Sequence, residues 1–203
     1  MFPFDVILFD VGGVLLTNGW DHRERTLVCE SFGLSVAEFE SRHPAPYDAW
    51  ERGATPIKDY LDATVFYEPR AFTHDDFYQA MLAQSKVLED GALGILAQLS
   101  ASHKYLVGAL NNESRETNEF RFDKFGLRSL FSVALSSCYL GLRKPAPAIY
   151  NRALDILGRP AQRILFIDDR AENVAGAVSA GMRAVQFAGA DALQRELLNL
   201  GVI

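Results

Sequence analysis

Apolar residues in this chain follow two different patterns. Val6, Ile7, Leu8 and Phe9 form a short unbroken run of β-forming residues. A run apolar at every position suits a strand buried on both faces of a parallel sheet. It ends in Asp10, with Gly12-Gly13 just behind. From Asp21 to about Thr73 no comparable run occurs, and helical signals replace it. Asp21 to Phe32 is expected as a helix closed by Gly33. Ser35 is expected to cap a second helix, with Glu38 at the capping-box position, until Pro44 and Pro46 break it. A short helix is expected from Tyr47 to Arg52. Another should start at Thr55-Pro56, with Thr as N-cap and Pro at the first helical position. One more should run from Thr73 to about Gln84.

Beyond Lys86 the two patterns alternate. Helix is expected over Gly91–Ala101, Ser114–Phe125, from Lys144-Pro145 to Leu157, over Ala171–Ala180 and over Asp191–Leu200. Strand is expected over Tyr105–Leu110, Phe131–Leu135, Arg163–Ile167 and Arg183–Phe187. Such alternation implies an α/β fold with a parallel sheet and right-handed crossovers. The core segments are residues 1–16 and 86–203, and the helical insertion is 17–85.

Composition narrows the field without deciding it. The chain has 203 residues, 49% hydrophobic and 23% charged, which suits one globular domain with an insertion. A net charge of −6 with no basic run speaks against nucleic acid as a partner. No apolar run is long enough to span a bilayer. Cys29 and Cys138 are isolated and lack metal-type spacing, so a reduced, cytoplasmic protein is expected, without a signal peptide after Met1. No repeat is visible.

Polar residues stand at the carboxyl ends of several expected strands: Asp10, Asn111-Asn112 and Asp168-Asp169, with Lys144 just after another. Strand ends of a parallel sheet face one crevice, where ligands bind. Each residue alone has a plainer explanation: turns for the asparagines, a helix cap for the acid pair, a solvated loop for the lysine. Together, three crowded carboxylates call for a cation. Mg²⁺ fits, as a hard ion that takes oxygen ligands and completes its shell with water and phosphate. The lysine can balance the cluster and hold a phosphate oxygen. This set suits phosphoryl transfer to a carboxylate, with Asp forming an aspartyl-phosphate and Asn donors on the equatorial oxygens.

The chain resembles the haloacid dehalogenase-like hydrolases, mainly phosphatases, with a helical cap inserted after the first strand. Asp10 to Val14 is similar to the first motif of that family and Leu110-Asn111-Asn112 to the second. Gly141 to Pro145 is similar to the third, and Ile167 to Val174 to the fourth. The resemblance implies a Rossmann-like core with Asp10 as nucleophile and Lys144 as its catalytic partner. It implies Gly13, Asn111 and Asn112 at the substrate. It also implies Mg²⁺ held by Asp10, the backbone carbonyl of Gly12 and an acid of the fourth motif, with Asp169 favoured as direct ligand and Asp168 behind it. The expected partner is a small phosphorylated metabolite, such as a sugar phosphate.

Two departures stand out. Gly12 occupies the position where most phosphatases of the family carry an acid/base aspartate, and Asn111 replaces the usual Ser or Thr. A dehalogenase-like carbon–halide hydrolase using the same Asp10, and a weakly active binding or regulatory protein, are the alternatives. Trp20, Tyr47 and Trp50 are candidates to line a substrate pocket, with core packing the favoured role for each. His22 and His43 are expected to be solvated.

Overall fold

The computed structural model describes residues 3–203; residues 1 and 2 of the first expected core segment lie outside them. Five strands form one all-parallel sheet: β1 (Val6–Phe9), β2 (Leu106–Ala109), β3 (Val133–Ala134), β4 (Ile164–Asp168) and β5 (Arg183–Gln186). Their order is β3-β2-β1-β4-β5, a Rossmann-like arrangement. The chain winds outward to one side through β2 and β3, then crosses to β4 and β5 on the other. That reversal lies between β1 and β4, which pair from Val6 with Ile164 to Phe9 with Ile167. The crevice beyond the carboxyl ends of those two strands is where such sheets bind ligands.

The unbroken run in β1 follows from its central place. Ile7 and Phe9 point into one core cluster, with Leu96, Phe122 and Leu193. Val6 and Leu8 point into the other, with Ile149, Tyr150 and Ala177. Both faces are dry, so no polar alternation survives.

Between β1 and the rest of the sheet stand five helices: α1 (His22–Ser31), α2 (Val36–Arg42), α3 (Pro44–Glu51), α4 (Ile57–Thr64) and α5 (His74–Leu82). They bury a cluster of their own around Trp20, Phe39, Trp50, Tyr60 and Phe77. Trp50 stacks on Tyr60 with ring centroids 4.7 Å apart. The two connections to the sheet run side by side, Thr17 donating to the carbonyls of Lys86 and Gln84. After them come α6 (Leu93–Ser102), α7 (Arg115–Lys124), α8 (Ser137–Leu140), α9 (Pro147–Leu157), α10 (Ala171–Ser179) and α11 (Ala190–Asn199).

Several local expectations change. Pro44 does not break a helix but opens α3 at its first turn, where a missing N–H costs nothing. α4 has Pro56, not Thr55, at its N-cap position, and its first free N–H, that of Ile57, donates to Glu116 of α7. α8 is a single turn without a signal in the apolar pattern, and α9 begins at Pro147 rather than at Lys144-Pro145. His43 is buried, not solvated, and its Nδ1 lies 2.8 Å from the Tyr60 hydroxyl. His22 is exposed beside Glu40, as expected. Trp20 and Trp50 are core residues of the helical block.

Candidate active site

Asp10 follows β1 directly, and its burial leaves it 8% exposed. Its Oδ1 accepts the Val11 N–H at 2.8 Å. Its Oδ2 lies 3.0 Å from Lys144 Nζ, which reaches 2.6 Å to Asp168 Oδ2 at the end of β4. One buried ammonium therefore bridges the carboxylates that close the two central strands. Burial pushes the Asp10 carboxyl up to about 7 against the pull of Lys144. Burial disfavours the charge on Lys144, but Asp10 and Asp168 outweigh it and hold the ammonium above its ordinary range.

Asp168 and Asp169 are adjacent but differently placed. Asp168 Oδ1 accepts from the Arg170 N–H and from Asn173, and Oδ2 from Lys144 and Asn173. Its acceptor positions are filled by protein. Asp169 Oδ1 is buried with no hydrogen-bond partner. Oxygens of Asp10, Asp168 and Asp169 lie within 4.8 Å of one another. A buried carboxylate oxygen without a donor is costly unless a cation faces it. An all-oxygen set with one such free atom fits a hard divalent ion such as Mg²⁺. Gly13 makes room for the Asp169 carboxylate: its φ is +70°, and a Cβ there would meet Asp169 Oδ2 at 2.2 Å.

The asparagines divide. Asn112 donates to the Lys144 carbonyl and accepts from the Lys144 N–H, both at 2.9 Å. Its amide therefore clamps the backbone that carries the bridging lysine. Asn111 is buried, giving its N–H to Asn118 and accepting from Ser136 Oγ. It braces the strand end from behind, while Asn112 and Glu113 line the cavity.

That cavity, about 230 Å³, lies between the sheet ends and the helical block and is strongly polar. The helical block contributes Tyr47 and Glu51 of α3 to its wall. Arg143, the residue before Lys144, pairs with Asp48 at 2.7 Å and with Glu51. Arg170 pairs with Asp21 at 3.0 Å. Arg121 pairs with Glu113 at 2.6 Å and donates to the Thr17 carbonyl. Gly12 has no positive φ, but a Cβ there would lie 2.9 Å from Asn18 Oδ1 and 3.9 Å from Arg121 Nη1. An amide and a guanidinium thus fill the space beside it. Arg143 and Arg170 fall inside the motif segments, but the motifs do not show which acids they pair with. Glu51, Glu113 and Arg121 had no signal in the sequence, because nothing in their spacing marks which buried charges meet.

A parallel sheet with an acid–lysine–acid chain at its switch point is the frame of a hydrolase family. A family model described as haloacid dehalogenase-like hydrolase matches residues 4–181, and the chain belongs to that family. Over 97% of its length it is 29% identical to Flavin mononucleotide hydrolase 1 of Arabidopsis thaliana, covering 78% of that protein. Over 97% of its length it is also 30% identical to Phosphatase MT3486 of Mycobacterium tuberculosis, covering 95% of that one. Its fold is similar to that of a HAD family enzyme from Bacteroides thetaiotaomicron solved with magnesium and inorganic phosphate. The TM-score is 0.76 at 18% identity, over 92% of this chain and 95% of that one.

Proposed function

We propose that this protein is a Mg²⁺-dependent phosphatase of a small phosphorylated metabolite, with sugar phosphates the first class to test. The observation that carries the proposal is the buried Asp10–Lys144–Asp168 bridge beside Asp169 and its unpartnered Oδ1. Asp10 attacks phosphorus, the bond from phosphorus to the leaving oxygen breaks, and water then cleaves the aspartyl-phosphate. Lys144 neutralises charge on Asp10 and on the transferring group. Asp168 holds Lys144 in place, and Asn112 holds its backbone. Asp10, Asp169 and the Gly12 carbonyl are the groups we assign to Mg²⁺, which when bound supplies charge neutralisation to the phosphoryl oxygens.

The names of the relatives, a flavin mononucleotide hydrolase and a phosphatase, support this assignment, as does a structural neighbour holding magnesium and phosphate. The small polar cavity favours a hydrophilic leaving group. We assign residues 1–16 and 86–203 to a catalytic core and 17–85 to a cap, on the separate apolar cluster of the helical block. We place the activity in the cytoplasm, which two buried, unpaired cysteines support. No helix among the described residues is long and apolar enough to cross a membrane.

The test is turnover of an aryl phosphate and a panel of phosphorylated metabolites, with Mg²⁺ and with chelator. Asp10→Asn keeps the shape but removes the nucleophile, so its turnover should fall to background while the melting profile stays cooperative. Retained turnover in Asp10→Asn refutes the mechanism, and halide release without metal would point to the dehalogenase chemistry instead.

A further inference from the structure

We propose that Glu51, on the helical block, is the proton donor to the leaving oxygen that position 12 lacks. The inference rests on the phosphatase assignment above.

Asn18 and Arg121 fill the space beside Gly12, and neither releases a proton near neutral pH. A protein donor would have to come from elsewhere on the cavity wall, whose other acids are Asp21, Glu51, Glu113 and the exposed Glu172. Lys144 is committed to two carboxylates. Asp21 is paired with Arg170 at the rim. Glu113 is buried, but its oxygens face the Ser114 N–H and the Arg121 guanidinium. Burial raises its carboxyl against the pull of Arg121, but both of its oxygens are already taken by these donors.

Glu51 differs in its partner. It is 3% exposed, and its Oε1 accepts from the Tyr47 hydroxyl at 2.5 Å. A hydroxyl can donate to a carboxylate or accept from a carboxylic acid, so this contact survives a change of protonation state. Oε2 lies beside Arg143 but is buried without a hydrogen-bond partner. Arg143 and Lys144 are consecutive, one pairing with Glu51 and the other with Asp10, and both acids line the same cavity. The groups facing Glu51 are Tyr47 from its own helix, Arg143 from the loop after α8, Glu113 from the segment after β2 and Arg170 from the segment after β4. Burial outweighs the cations and brings Glu51 up to about 7, near the pH at which a general acid works best.

The proton balance closes over the cycle. As the Asp10 oxygen bonds to phosphorus and the ester P–O bond breaks, the Glu51 proton passes to the leaving oxygen, which departs as the neutral alcohol. Glu51 is left as carboxylate. In the second step it takes a proton from the attacking water as the new P–O bond forms and the Asp10–phosphorus bond breaks. Phosphate leaves, and both acids return to their starting states.

The experiment compares wild type, Glu51→Gln and Tyr47→Phe on a series of phosphate monoesters running from aryl to alkyl leaving groups, with Mg²⁺, across pH 5–9. In wild type, kcat/KM on alkyl esters should fall as pH rises through ~7, where the donor deprotonates. Glu51→Gln should lose that limb, with a rate loss of ~10²–10⁴ on alkyl esters that shrinks steadily toward aryl esters. Tyr47→Phe removes a donor to the carboxylate, so the limb should move to higher pH. A purely structural role would lower all esters alike and move no limb. In metal-free protein, the Glu51 carboxyl carbon resonance, assigned through Glu51→Gln, should titrate near 7; a midpoint in the ordinary glutamate range overturns the proposal. So does an equal loss across the series, or an alkyl rate untouched by Glu51→Gln. Wild-type turnover of aryl but not alkyl esters refutes Glu51 alone. Absence of all turnover refutes the phosphatase assignment itself.

Discussion

Replacing Lys144 by Met isolates charge from shape. The two side chains have similar length, and the site is 1% exposed on the lysine side, so the apolar stem keeps its packing. What is lost is the ammonium 3.0 Å from Asp10 and 2.6 Å from Asp168. Removing one partner of a buried ion pair costs about 3–5 kcal/mol, because a buried charge is left uncompensated. Asp168 retains Asn173 and the Arg170 N–H, and Asp10 retains only the Val11 N–H, so the cost falls mainly on Asp10. For a chain of this size that loss corresponds to a drop of roughly 6–20 °C in Tm. The assay is urea and thermal unfolding in chelator, repeated with Mg²⁺. Without the lysine the buried Asp10 carboxyl binds its proton more tightly folded than unfolded, so stability rises as pH falls. The deficit against wild type should therefore be largest in alkaline solution and shrink as pH falls toward ~7, where Asp10 already takes up its proton in the wild type. Mg²⁺ should stabilise the variant more than the wild type, because it supplies the cation the variant lacks. A loss below about 1 kcal/mol, the range of exposed pairs, would refute the claim that Lys144 compensates buried charge.

Asp169→Asn should weaken Mg²⁺ binding more than Asp168→Asn, since the free oxygen belongs to Asp169. Asp168→Asn should cost more stability, through Lys144 and Asn173. Calorimetric Mg²⁺ titration and melting of both variants check the order, and the reverse order would exchange the two roles. Gly13→Ala places a Cβ 2.2 Å from Asp169 Oδ2 at φ +70°. It should cost about 1–2 kcal/mol for the left-handed backbone and lower Mg²⁺ affinity by displacing that carboxylate. Unchanged metal binding would show that the Gly13–Asp169 contact is incidental.

The strands, the parallel sheet and the line of polar residues at its carboxyl edge were legible in the sequence. The cause is local: a central strand dry on both faces must be apolar throughout, and a charge placed at its end is conspicuous. The helical block was legible for the same reason, through caps such as Thr73 and Ser35, whose side chains accept the N–H three residues on. Only the tertiary structure decided how neighbouring residues divide their work. Asp168 and Asp169 are adjacent and chemically alike, yet the hydrogen-bond donors around them fill one and leave an oxygen of the other free. Asn112 is a clamp on the Lys144 backbone because two loops happen to meet, and the Ile57 N–H that opens α4 donates to Glu116 on a distant helix. The cavity wall has the same origin: Arg143 and Asp48 stand 95 residues apart in the chain. No periodicity or spacing encodes such a pairing, since it arises only when burial forces each charge to find a partner in space.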